Sequence, residues 1–140
     1  ARRAYPFDLK VEEQENFVSI SCSHDGYKRI IGKTIHRRNW KFFENSLIIK
    51  DYVEGPFKSA FAYFHFHPSI NISKKQNDEW DMYLPNGHKA ILKVKANKSL
   101  IKKSYYASEF GKKLNTHCLK VALDKELGSL VKISWSNLNE

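Results

Sequence analysis

His65 and His67 stand two positions apart on an apolar stretch. On a β-strand such residues share a face, so both imidazoles would point toward one metal ion. Two ligands are half a site. The companions of suitable type, His36, Asp51 and His117, lie on other segments, with no spacing that says they converge. A histidine pair at a strand end before Pro68 more often plays a structural, hydrogen-bonded part, so neither a metal nor a cofactor is expected. A second gathering is Tyr27-Lys28-Arg29 with His36-Arg37-Arg38-Asn39-Trp40. The guanidinium fork meets carboxylate or sulfate oxygens in pairs and also stacks on flat rings. An acidic sugar offers all of these groups. Against that, Arg37 and Arg38 point to opposite faces of one strand, so at most one serves a given surface while the other pairs with an acid. Among the tryptophans, Trp135 shares a face with Val131 and Ile133 and is expected in the core. Trp80, flanked by Glu79 and Asp81, is expected to be more exposed and to offer a stacking face. The candidate ligand contacts are therefore Tyr27, His36, Arg37, Arg38 and Trp80. No Gly-rich phosphate loop, Gly-x-Ser-x-Gly, Cys-x-x-Cys or nucleic-acid-binding signature occurs, and spacing alone names no complete catalytic set.

Charge narrows the partners. Lys and Arg number 24 against 15 Asp and Glu, a net +9 that attracts polyanions without choosing among them. Nine lysines and a single acid, Glu109, fall between Lys89 and Lys120. One reading is ordinary: lysines line wet strand faces and guard sheet edges. The other is an anion-facing surface. Nucleic acid has only the net charge in its favour and is not an expected partner; nor is a membrane, since no apolar run approaches the roughly 18–20 residues of a spanning helix. Cys22 and Cys118 sit far apart in apolar stretches and read as buried free thiols. The start at Ala1, without methionine, leads us to expect a piece of something longer.

The elements that must carry these residues are strands. Phe17 to Ser23 alternates Val18, Ile20 and Cys22 with serines, and the turn His24-Asp25-Gly26-Tyr27 follows, with glycine available for positive φ. Lys33–Phe43 and Leu47–Val53, joined through Glu44-Asn45-Ser46, read as a hairpin. Further strands are expected at 60–67, 70–72, 80–84, 90–95, 100–106, 119–123 and 130–135. Pro85-Asn86-Gly87 marks a turn, and 124–128 is the one place for a turn of helix. About ten short strands without repeats or linkers predict an all-β, antiparallel β-sandwich in a single domain spanning 1–140.

Several phrases, taken in order, resemble the heparinase II/III-like polysaccharide lyases. They are Ala1-Arg2-Arg3-Ala4, His24-Asp25-Gly26-Tyr27, His36-Arg37-Arg38, Leu47 to Gly55, Phe64-His65-Phe66-His67-Pro68 and Ser108-Glu109-Phe110-Gly111. The resemblance implies a longer protein in which an N-terminal α/α toroid precedes a C-terminal antiparallel β-sandwich, of which this chain is the later part. It implies β-elimination on uronic-acid polysaccharides: the sugar carboxylate is neutralised, a base removes the C5 proton and an acid protonates the leaving oxygen. In the family the catalytic groups, and the metal ligands of some members, precede the stretch that matches here, so none is carried onto this chain. His65-Phe66-His67 does not match the family's metal motif. The reading is a non-catalytic β-sandwich portion that packs on the N-terminal helical domain and contacts an acidic polysaccharide. The alternative is a free-standing carbohydrate-binding module for acidic glycans.

Overall fold

A computed structural model of the chain describes residues 3–30 and 32–136; Ala1 and Arg2 of the opening phrase, and Ile31, lie outside the described residues. Eleven strands follow one another: β1 (Pro6–Gln14), β2 (Phe17–His24), β3 (Ile35–Phe43), β4 (Ser46–Glu54), β5 (Phe61–His65), β6 (Asn71–Gln76), β7 (Glu79–Tyr83), β8 (Lys89–Lys95), β9 (Lys98–Tyr106), β10 (Leu114–Ala122) and β11 (Ser129–Trp135). They form an eight-stranded sheet ordered β1-β2-β3-β4-β11-β8-β7-β6 and a three-stranded sheet ordered β5-β10-β9. All pairings are antiparallel, and the architecture is an all-β sandwich.

The period-two pattern explains how the layers meet. Val11, Ile20, Trp40, Ile49, Val131 and Val94 are successive cross-strand partners and form one apolar row over six strands. Burial along that row is uneven. Val131 and Ile49 are closed off at 1% and 7% exposure, whereas Val11 stands 58% exposed at the β1 end. The core cluster joins Ile49, Val53, Leu92 and Val131 of the large sheet to Ala62, Leu119 and Val121 of the small one. The small sheet thus caps the middle of the large sheet, where apolar area leaves water at roughly 25 cal/mol per Å². β1 and much of β2 remain outside the cap, and the residues of β1 are exposed throughout.

Several expectations are corrected. The β1 strand is additional to the roughly ten expected: Phe7, Leu9 and Val11 alternate with polar residues, and its pairing with β2 shifts register between Phe7 and Lys10, where Asp8 takes a φ of 53°. The segment 124–128 is a closed turn, not a helical one. The Asp124 carboxylate accepts from the backbone N–H groups of Glu126 and Leu127 at 2.8 and 2.9 Å, and Asp124 and Gly128 exchange backbone bonds. Gly128 has a φ of 69°, and a Cβ there would overlap the carbonyl oxygen of Asp51. Trp80 is buried, at 5% exposure, and belongs to the core opposite Leu92. Its acidic neighbours were a poor guide because Glu79 is itself buried, with Lys75 and Lys93 on its two oxygens at 2.9 and 3.1 Å. Trp135, expected inside, is the last residue of β11 and stands 37% exposed. Cys118 is fully buried, as expected, while Cys22 is half-buried; both are free thiols.

Candidate functional site

The two-residue turn Glu44-Asn45 sets β3 against β4 so that Arg38 faces Asp51 and His36 faces Val53. Pairing of β2 with β3 then brings His24 opposite His36. Side chains two apart on β3 share a face, so His36 and Arg38 converge on one carboxylate, while Arg37 leaves from the other side.

Asp51 is the hub. Its side chain is wholly enclosed, at 0% exposure. Oδ1 accepts from His36 Nε2 at 2.6 Å and from Arg38 Nε at 2.7 Å; Oδ2 accepts from Arg38 Nη2 at 3.0 Å. Burial alone would push the carboxyl up, but the hydrogen bonds from His36 and Arg38, with the guanidinium charge, outweigh it and hold Asp51 below the ordinary carboxylate value. The network fixes tautomers in sequence. The Gly26 N–H donates to His24 Nδ1 at 3.2 Å, so the proton of neutral His24 is on Nε2 and is donated to His36 Nδ1 at 3.0 Å; His36 in turn donates from Nε2 to Asp51. Burial, the neighbouring His36 and Arg38 depress the His24 pKa below its ordinary 6.5, which favours this neutral form. Gly26 is required here for closeness and not for the expected positive φ. A Cβ at this position would come within 2.9 Å of the Ala4 Cβ and 3.1 Å of His24 Nδ1.

His24, His36 and Arg38, with Asp51 enclosed behind them, form one wall of an open cleft of about 900 Å³. Tyr27, 47% exposed, stands beside His24 with ring centroids 5.4 Å apart. The opposite wall is the segment from Pro56 to Tyr63, including Phe57, Lys58 and Phe61. The Arg38 guanidinium lies 5.0 Å from the Phe64 ring centroid and 5.9 Å from that of Trp40, so its charge is framed by aromatic faces.

The structure therefore brings together three of the five expected contacts, Tyr27, His36 and Arg38. Arg37 is on the reverse face, bonded from Nε to Ser23 Oγ at 3.0 Å and paired with Asp8 at 3.4 Å. Trp80, in the core, has no free face for stacking. His65 and His67 each engage their own serine: His65 Nδ1 meets Ser104 Oγ at 3.3 Å and His67 Nδ1 meets Ser69 Oγ at 2.7 Å. Sequence reasoning missed His24 and Asp51 as partners of this site. The short turn between β3 and β4 was the available signal for Asp51; the long connection from 25 to 34 hid the register that delivers His24.

The basic stretch also resolves into two parts. On β8, Lys89 pairs with Asp81 at 2.9 Å and Lys93 with Glu79 at 3.1 Å. Lys75 joins the same Glu79, and the hydrogen bonds from Lys75 and Lys93 hold that carboxyl down at about 2. On β9 and β10, by contrast, Lys102 and Lys120 lie over aromatic rings.

An all-β sandwich with a largely apolar cleft, edged by Arg38 and His36 and opening between the larger sheet and the segment from Pro56 to Tyr63, is the class that fold and site define. The sequence matches the family described as heparinase II/III-like, C-terminal, over residues 1–134, and the chain belongs to that family. A solved heparinase III gene product shares the fold with a TM-score of 0.70 at 14% identity, over 94% of this chain and 21% of that one. A second structure of that product, with methylated lysines, gives 0.64 at 14% identity, over 91% and 21%. This chain thus spans about a fifth of the length of those structures. No curated protein matches it by sequence.

Proposed function

We propose that the chain is the non-catalytic β-sandwich portion of a polysaccharide lyase acting by β-elimination on a uronate-containing polymer, and that it packs on an N-terminal helical domain. The observation that carries the non-catalytic part is the commitment of the cleft's two histidines and of the carboxylate behind them. Both ring nitrogens of His24 and of His36, and both oxygens of Asp51, already have partners inside the protein. A general base must have a free lone pair within reach of the substrate proton. In this series the acceptor nitrogen of each imidazole is occupied and the Asp51 carboxylate, holding three donors, is wholly enclosed, so the arrangement reads as one that orients Arg38 and stiffens the cleft wall. The Tyr27 hydroxyl and the outer edge of Arg38, with Lys58 and Tyr63 of the opposite wall, are left to meet a sugar carboxylate, and the family is what supplies the reaction class.

The test compares this chain with the longer reading frame that contains it, on uronate polymers such as alginate and heparan sulfate, following ultraviolet absorbance of the unsaturated uronate product. The longer protein should form product and this chain alone should form none. Turnover by the 140 residues alone would overturn the assignment.

A further inference from the structure

The outward face of the small sheet gathers lysines and aromatic rings on strands without a carboxylate. The three strands β5, β9 and β10 contain no Asp or Glu, yet they carry Lys98, Lys102, Lys103 and Lys120. Ala62, Phe64, Ile101, Leu119 and Val121 pack inward on the core. Alternation therefore turns Phe61, Tyr63, Lys98, Lys102 and Lys120 outward together. Register agrees: Lys120 is the cross-strand partner of Tyr63 on one side and of Leu100 on the other, midway between Lys98 and Lys102.

The side chains on this face are held in a defined arrangement. The Lys120 Nζ sits 3.8 Å from the Phe61 ring centroid and 5.8 Å from that of Tyr63, and the Lys102 Nζ sits 4.9 Å from the same Tyr63 ring. Two ammonium groups thus share one aromatic ring, and neither they nor Lys98 form an ion pair with any described residue. Like charges gathered around one ring repel, and a bound anion would relieve that repulsion. Phe61 and Tyr63 nevertheless remain 44% and 43% exposed, leaving apolar area open beside the charges. On β8, drawn from the same basic stretch, Lys89 and Lys93 are neutralised by Asp81 and Glu79, whereas Lys98, Lys102 and Lys120 gather on one sheet face that has no carboxylate in its strands.

We infer that this face is a second glycan-binding surface, one that lays a strand of acidic polysaccharide along β9 and β10 with its carboxylate or sulfate groups on Lys98, Lys102 and Lys120. The choice of polysaccharide rests on the lyase reading above; the anion and the flat apolar contact come from the face itself. Lys98 and Lys102, four residues apart on one strand, lie about 13 Å from each other along it, so an extended polymer would span both. Aromatic rings that already restrain the ammonium groups reduce the ordering cost of binding. Tyr63 and Phe61 also line the cleft described above, so a polymer on this face would run toward Arg38.

The experiment measures binding of the chain to alginate and heparan sulfate by isothermal calorimetry, with duplex DNA as the competing polyanion. Lys102→Ala with Lys120→Ala should weaken polysaccharide binding by about tenfold or more. Lys89→Ala with Lys93→Ala removes the same charge from the neutralised face and should change it less than about twofold. Lys102→Arg with Lys120→Arg should retain binding, which separates lost charge from lost folding. Equal losses from the two alanine pairs, or DNA bound more tightly than either polysaccharide through the same lysines, would overturn the inference. Binding is read without turnover. Failure of the lyase reading, seen as product from this chain alone, is therefore distinguishable from failure of the face, seen as equal losses from the two pairs.

Discussion

Asp51→Asn isolates the hub of the cleft, because it keeps the shape of the side chain while removing its charge and one acceptor. The carboxylate receives three donors, two from Arg38 and one from His36, and has no water-exposed surface. Asparagine can accept at its one oxygen, but its NH2 then faces an N–H of Arg38 or His36, donor against donor. Breaking a buried ion pair from one side costs about 3–5 kcal/mol. The Arg38 side chain retains 25% exposure, so water reaches the stranded guanidinium and the lower end, about 3 kcal/mol, is expected. With an unfolding entropy of about 2.1 cal/mol/K per residue, that corresponds to a fall in Tm of roughly 10 °C for a chain of this length. Urea unfolding followed by tryptophan fluorescence measures it, and a midpoint that moves with an unchanged slope identifies a stability change. Replacing both partners, Asp51→Leu with Arg38→Met, should recover at least half of the loss, since no buried charge is then left alone. A loss below about 1 kcal/mol for Asp51→Asn, or a double variant as unstable as the sum of its parts, would refute the hub.

Two further outcomes follow from the same region. Gly128→Ala should cost more than about 2 kcal/mol, because the residue has positive φ and its new Cβ meets the Asp51 carbonyl, whereas Gly87→Ala, also at positive φ but in open space, should cost about 1 kcal/mol. Chemical denaturation of both variants checks the difference, and equal losses would show that contact with Asp51 plays no part. For pH, the native His24 is held neutral below its ordinary 6.5 by burial, His36 and Arg38, so the unfolded chain binds the proton first and stability falls as pH drops through that region. Asp51 and Glu79, both depressed, add a second loss as pH falls below about 4, continuing toward the Glu79 value of about 2. Urea midpoints from pH 8 to pH 3 should show both steps, and His24→Gln should remove only the first; a flat profile between pH 7 and pH 5 in the parent would contradict the His24 assignment.

The all-β class was legible because alternation in segments such as Phe17–Ser23 and Leu47–Val53 leaves one consistent choice of inward face. Arg38 against Asp51 was equally within reach, since a two-residue turn between β3 and β4 fixes the register of the hairpin. His24 against His36 was not. A connection of ten residues between β2 and β3 allows several registers, and only packing selected the one that aligns the two rings. Trp80 and Trp135 show the same boundary. The alternation that places Met82 inward places Trp80 inward too, but the acids beside it pointed the other way until Glu79 proved to be buried and held by lysines. Trp135 has the parity of a core residue, and its position at the end of β11 leaves it partly in water. Composition determined that the chain is basic. Which lysines are neutralised and which remain unpaired over Phe61 and Tyr63 was decided by the strand order of two sheets, because Coulomb and cation–π contacts depend on distances across strands that linear spacing does not contain.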